Sequence, residues 1–199
     1  MFTKDKGMKT IPTSHPDAEN FLPRQLEPTR VFDLVVCDGW VGCVLRTHKR
    51  LEYRENREAR RLSTTQFAIG LKHLRVGGTM IILLHKLDSY ETASLIHRFQ
   101  EFSKVQLLKP TSGHTRKSSF YMVASNVQSQ QPAALDAIEQ WKQKWKVATF
   151  GKDEGYLELL RDDLNGVNVL LEMFDALAKA PFIRNHGDAA LAENSSHNS

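Results

Sequence analysis

Asp38 is the residue whose position most suggests chemistry. It follows the apolar run VFDLVVC and precedes Gly39, which puts a carboxylate at the carboxyl end of a short strand, where open α/β sheets bind their ligands. The bland alternative is an ordinary strand-end turn, since Asp-Gly is turn-prone. His85 and Lys86 follow a second apolar run, MIILL, and either side chain can act as a base at a strand end, or be ordinary hydrogen-bonded or solvated structure. Arg50, Arg54, Arg57 and Arg61 recur at four, three and four residues, so a helix aligns them as one basic stripe able to meet phosphates. Glu52, Glu55 and Glu58 are interleaved with them, and a salt-bridged, solvated face explains the same pattern. Trp141 and Trp145, among Lys142, Lys144 and Lys146, have the composition of a base-stacking platform. Their spacing of four puts both indoles on one helix face, which reads as core packing.

Positioning these residues requires an alternating fold. VFDLVV reads as a buried strand stopped by Asp38-Gly39. From about Lys49 to Leu74 the pattern predicts a long helix, or two consecutive ones, ended by Gly77-Gly78 before the strand MIILLH. Asp88-Ser89 can cap a helix carrying Ala93, Ile96, Phe99 and Phe102 at three- to four-residue spacing. Strands follow at VQLLK (105–109) and SFYMVAS (119–125), joined by a polar loop too short for a crossover, so they pair antiparallel. After Pro132 two helical stretches are expected, AALDAIEQWKQKWKV and YLELLRDDLNGVNVLLEMFDALAKA, with Pro181 as the stop. Continuous apolar strands alternating with helices predict an α/β fold with a largely parallel sheet covered on both faces.

Three ordered segments carry a family resemblance: Phe32–Gly39 (FDLVVCDG), Leu62–Leu84 with its GG before a strand, and Val105–Ala124 (VQLLKPTSGHTRKSSFYMVA). Together, over residues 31–125, they resemble the FtsJ-like RNA 2′-O-methyltransferase family. The resemblance implies a Rossmann-like, S-adenosylmethionine-dependent methyltransferase fold, of which this chain holds the C-terminal half of the sheet plus C-terminal helices. It also implies RNA as partner and a Lys-Asp-Lys-Glu tetrad. In that chemistry a ribose hydroxyl loses its proton as it attacks a sulfonium methyl, and a lysine held among carboxylates takes the proton. Carried over residue by residue, the tetrad aspartate falls on Asp38, as catalytic and cofactor-binding residue. The catalytic lysine falls on Leu83 and the glutamate on Ser119. Lys86, three residues beyond Leu83, is the remaining catalytic candidate, although an odd offset on a strand points it to the opposite face. His85 shares Leu83's face one pleat further along. Arg116 and Lys117, with His114, lie in the loop that the family places near substrate, and join Arg50, Arg54, Arg57 and Arg61 as RNA-binding candidates.

The Gly-rich cofactor loop expected before FDLVVCDG has no counterpart in residues 1–30, where Gly7 is the sole glycine; Lys4, Lys6 and Lys9 lack the context of the first tetrad lysine. Cofactor binding by this chain alone is therefore not expected, and a partner chain or a missing N-terminal segment should complete the sheet at Val31. The domain reading is a disordered or loosely docked arm (1–30), a partial methyltransferase core (31–126), a helical extension (132–182) and a disordered tail (185–199).

Composition narrows the class. The 199 residues are 41% hydrophobic and 25% charged, with a formal net charge of +4, which excludes wholesale disorder and permits, without requiring, a polyanionic partner. Cys37 and Cys43 make no disulfide framework, no zinc spacing is present, and the longest aliphatic run, Met80 to Leu84, cannot span a bilayer. The expectation is no metal, no membrane and a cytoplasmic or nuclear protein. Two functions remain: a methyltransferase of this type, truncated or catalytically degenerate, and a non-catalytic RNA-binding or protein-interaction module derived from the same fold.

Overall fold

The computed structural model describes residues 11, 14–16, 18–21, 25–38, 52–87, 89–109, 118–165 and 182–184. In chain order these form β1 (Phe32–Cys37), α1 (Glu52–Lys72), β2 (Leu74–His85), α2 (Tyr90–Gln100), β3 (Lys104–Lys109), β4 (Ser119–Val127), α3 (Pro132–Phe150), α4 (Asp153–Asn165) and β5 (Phe182–Arg184). The fold is α/β and Rossmann-like. The sheet order is β1-β2-β4-β3-β5.

The sheet is mixed rather than largely parallel. β1 runs parallel to β2 and β3 to β5, but β4 lies between β2 and β3 and is antiparallel to both. The short β3–β4 connection forces the reversal, and the more apolar β4 then takes the central position, with Phe120, Met122 and Ala124 buried. β1 is an edge strand among the described residues.

The described helices cover one face of this sheet, not both. Cys37, Met80, Ile82, Leu84, Val105 and Leu107 join the buried side chains of β4 in one core with Ala68 and Leu71 of α1, Ile96 and Phe99 of α2, and Ala137, Ile138 and Trp141 of α3. The opposite face alternates with it: Leu34 and Val36 are 53% and 57% exposed, and Ile81, Leu83, Tyr121 and Val123 are half-buried. β1 is therefore not the buried strand that its composition suggested.

α1 lies close on the sheet because Gly70 permits it; a Cβ there would meet Val35 Cγ1 at 2.9 Å and Met80 Cε at 3.0 Å. The helix ends at Lys72, not at the glycine pair. His73 then ties its end to the start of β1, accepting from Phe32 N through its carbonyl at 2.8 Å and donating from Nδ1 to the Arg30 carbonyl at 2.7 Å. Gly77 and Gly78 sit inside β2, at an irregularity where the register jumps from Phe32↔Leu74 to Leu34↔Thr79. Gly77 has φ +82°, and a Cβ on Gly78 would lie 2.8 Å from the Arg75 carbonyl and 2.9 Å from that of Asp33. The pair thus serves a bulge in a long strand rather than a helix stop.

Ser89 caps α2, its Oγ accepting from Thr92 N at 3.3 Å, while Thr92 Oγ1 donates to the His85 carbonyl at 2.9 Å; Asp88 is outside the described residues. α3 is integral to the core: Trp141 lies 5.5 Å from Phe67 and 5.8 Å from Phe99 between ring centroids. From the N-terminal thirty residues, His15 Nε2 donates to the Thr149 carbonyl at 2.9 Å, and Phe21 packs on Phe150 and Trp145. The 185–199 segment lies outside the described residues.

Candidate functional site

The carboxyl ends of β1 and β2 bring three sequence-derived positions together. Cys37 pairs with Ile82, so Asp38, one residue further, stands beside Leu83. Leu83 pairs in turn with Tyr121, and His85 with Ser119. Asp38, Leu83 and Ser119 thus occupy three adjacent strands within one pleat of each other.

Alternation also places them on one face. Leu34 and Val36 of β1 face away from the helices, and Asp38 continues that series. Leu83, His85, Tyr121 and Ser119 are out of phase with the core residues Ile82, Leu84, Phe120 and Met122 in the same way. Asp38 is exposed and Leu83 half-buried, whereas Ser119 is 2% exposed. The site therefore lies at one end of the sheet face left open by the described helices. Its chemistry is a carboxylate beside an aliphatic side chain and a hydroxyl.

The neighbouring lysines do not occupy that face. Lys86 follows β2 with φ +52°, exposed, in the turn where its carbonyl accepts from Ser89 N at 3.0 Å. Lys109, which the sequence reading passed over as a site residue, has the phase of the buried Val105 and Leu107 and donates from Nζ to the Ser119 carbonyl at 2.8 Å. The short β3–β4 connection was the available signal, because antiparallel pairing across it necessarily sets 109 beside 119 and 120.

Two members of the arginine stripe are engaged inside the protein. Arg57 donates to the Gly151 carbonyl at 2.6 Å, pairs with Asp153 and stacks over Tyr156, 4.7 Å from its centroid. Arg61 pairs with Glu58 at 3.2 Å. Both side chains are 12% exposed, leaving little guanidinium surface to meet a phosphate. Arg54 lies within α1, its side chain undescribed; Arg50, His114, Arg116, Lys117 and Cys43 lie outside the described residues. Trp141 and Trp145 are buried, as core packing requires and base stacking forbids.

Among the described residues, no group of three His, Cys, Asp or Glu side chains could hold a metal ion, and no helix is long and apolar enough to cross a membrane. Cys37 is buried, and burial pushes its thiol from the ordinary 9.0 up to about 12, so it is no nucleophile near neutral pH. On the helix side, a cavity of about 840 Å³ opens between the four described α-helices at the end of β2.

A family model described as FtsJ-like methyltransferase matches residues 4–127. The match is longer than the motif-bearing stretch and ends with β4, before α3. No curated protein matches the chain.

Proposed function

The chain belongs to the FtsJ-like methyltransferase family, and from that premise we propose that it is a domain of the RNA 2′-O-methyltransferase type that has lost its catalytic base and acts by binding RNA. The observation that carries this reading is the row of Asp38, Leu83 and Ser119 at the end of the open sheet face. Removing the proton of a ribose hydroxyl there needs a titratable amine polarised by carboxylates. Leu83 has none, and Ser119 offers no charge. Lys86 and Lys109 are near in sequence and space but belong to the other face or to the turn.

S-adenosylmethionine is the cofactor such a domain implies, and the described residues do not by themselves fit it. They supply one carboxylate, Asp38, and a single wall. Among the described residues β1 is bonded along one edge only, and its outward Leu34 and Val36 are more than half exposed. A strand from a partner chain, or from a preceding segment of the same protein, would complete that wall.

The test uses the full chain with S-adenosyl-[methyl-³H]methionine and RNA transcripts. Expected are no incorporation of label and filter retention of RNA that weakens steeply with salt. Incorporation lost in Asp38→Ala would overturn the loss of catalysis, and no retention even at low salt would remove RNA binding. A second reading, a protein-interaction module, is favoured by the apolar open face and by the internal engagement of Arg57 and Arg61.

A further inference from the structure

The edge strand β1 carries a pattern complementary to itself. Its open-face series is Arg30, Phe32, Leu34, Val36 and Asp38, with a cation and an anion at opposite ends of three apolar side chains. Arg30 belongs to that series, because its guanidinium lies over the Phe32 ring, 5.5 Å from the centroid. Its backbone is held in line by two bonds. Arg30 N donates to the Glu27 carbonyl at 3.0 Å, and the Arg30 carbonyl accepts from His73 Nδ1 at 2.7 Å. Arg30, Leu34, Val36 and Asp38 are exposed, and Phe32 is half-buried. The other edge of β1 has no neighbouring strand among the described residues, so its backbone groups on that side are a template for one.

We infer that a second copy of this chain pairs antiparallel with β1, about a two-fold axis that sets Leu34 opposite Leu34. This rests on the open edge of β1 noted under the proposed function, and needs neither RNA nor the loss of the base. A two-fold edge pairing keeps both open faces on one side, so each residue meets another of the same face. In this register Arg30 stands opposite Asp38 at both ends, and Phe32 opposite Val36 on either side of the axis. On the helix side Asp33, already paired with Arg75 of its own chain at 2.6 Å, stands opposite Val35. Moving the axis one residue back puts two Asp33 carboxylates opposite each other. Moving it one forward sets Phe32 opposite Asp38. Opposite charges and apolar pairs stabilise a ladder, whereas like charges directly opposite destabilise it, which selects the Leu34 register. The pairing also brings Arg30 of the second copy to Asp38, at the end of the row with Leu83 and Ser119.

Sedimentation velocity of the full chain, without RNA, tests this. Expected is a mass that rises with concentration from 22.7 kDa toward twice that value. Arg30→Asp and Asp38→Arg should each weaken association about tenfold, since either places like charges opposite at both ends. Their equimolar mixture should regain the affinity of the protein, because the heterodimer has opposite charges at both ends again; a mere folding defect would not be cured by mixing. Leu34→Lys should abolish association by setting two ammonium groups at the axis, and circular dichroism checks that each variant is folded. A mass of 22.7 kDa at every concentration would overturn the proposal and leave the edge to a different strand. So would a dimer indifferent to the charge reversals, or a mixture as weak as the single variants. RNA retention is a separate measurement, so failure here leaves the proposed function standing.

Discussion

Lys109 donates from its Nζ to the main-chain carbonyl of Ser119 at 2.8 Å. Lys109 therefore supports the backbone of β4. Replacing it with methionine keeps the stem and removes the donor, leaving a part-buried carbonyl without this partner. Lys109→Met should cost about 1–2 kcal/mol in urea unfolding. An unchanged midpoint would show that solvent satisfies the carbonyl equally well.

Arg57 joins the α3–α4 corner to α1 through Gly151, Asp153 and the ring of Tyr156. The Asp153 side chain is 91% exposed, so that pair adds little; the bond to the carbonyl and the stacking carry the effect. Arg57→Ala should lower stability by about 1–3 kcal/mol while leaving RNA retention unchanged. Weaker retention with unchanged thermal unfolding would instead make Arg57 an RNA contact.

Gly78 stands where the strand bulges against two carbonyls. Gly78→Ala forces its methyl to within 2.8 Å of the Arg75 carbonyl and 2.9 Å of the Asp33 carbonyl. Neither is the flexible end of a side chain, so the backbone must shift. The expected loss is about 1–3 kcal/mol, read by thermal unfolding. Full stability would mean that the bulge yields without strain.

Cys37 gives a signed pH dependence. Burial raises its thiol from 9.0 to about 12, so the folded protein keeps a proton that the unfolded chain releases. Its contribution is complete below pH 9 and is lost as pH rises toward 12, at about 1.4 kcal/mol per pH unit. Denaturant midpoints across this window should fall more steeply in the protein than in Cys37→Val. Parallel slopes would show that the thiol titrates alike in both states.

Leu83 and Ser119 test whether the lysine and glutamate that the proposed assignment would set there can meet. Ser119→Glu alone buries a carboxylate at a position 2% exposed and should destabilise strongly. Leu83 pairs with Tyr121 while Ser119 pairs with His85, so the two are diagonal neighbours, roughly 7–8 Å apart and within reach of a lysine. Adding Leu83→Lys should restore part of the loss, with a coupling of about 0.5–3 kcal/mol in a double-mutant cycle. Strict additivity would mean that the side chains do not meet.

The sequence by itself determined the family through three ordered segments, the order of strands and helices up to α3, the Ser89 cap, the antiparallel β3–β4 pair and the burial of Trp141 and Trp145. Each is a local property: a period, a cap, or a loop too short for any other connection. Tertiary structure alone decided that β4 sits between β2 and β3, that the described helices take one face, and that Gly77-Gly78 bulges a strand. It also turned Arg57 inward and opened the cavity beside Trp141. Those outcomes depend on contacts between residues far apart in the chain, such as Arg57 with Gly151 or Gly78 with Asp33, and no window along the sequence contains both partners.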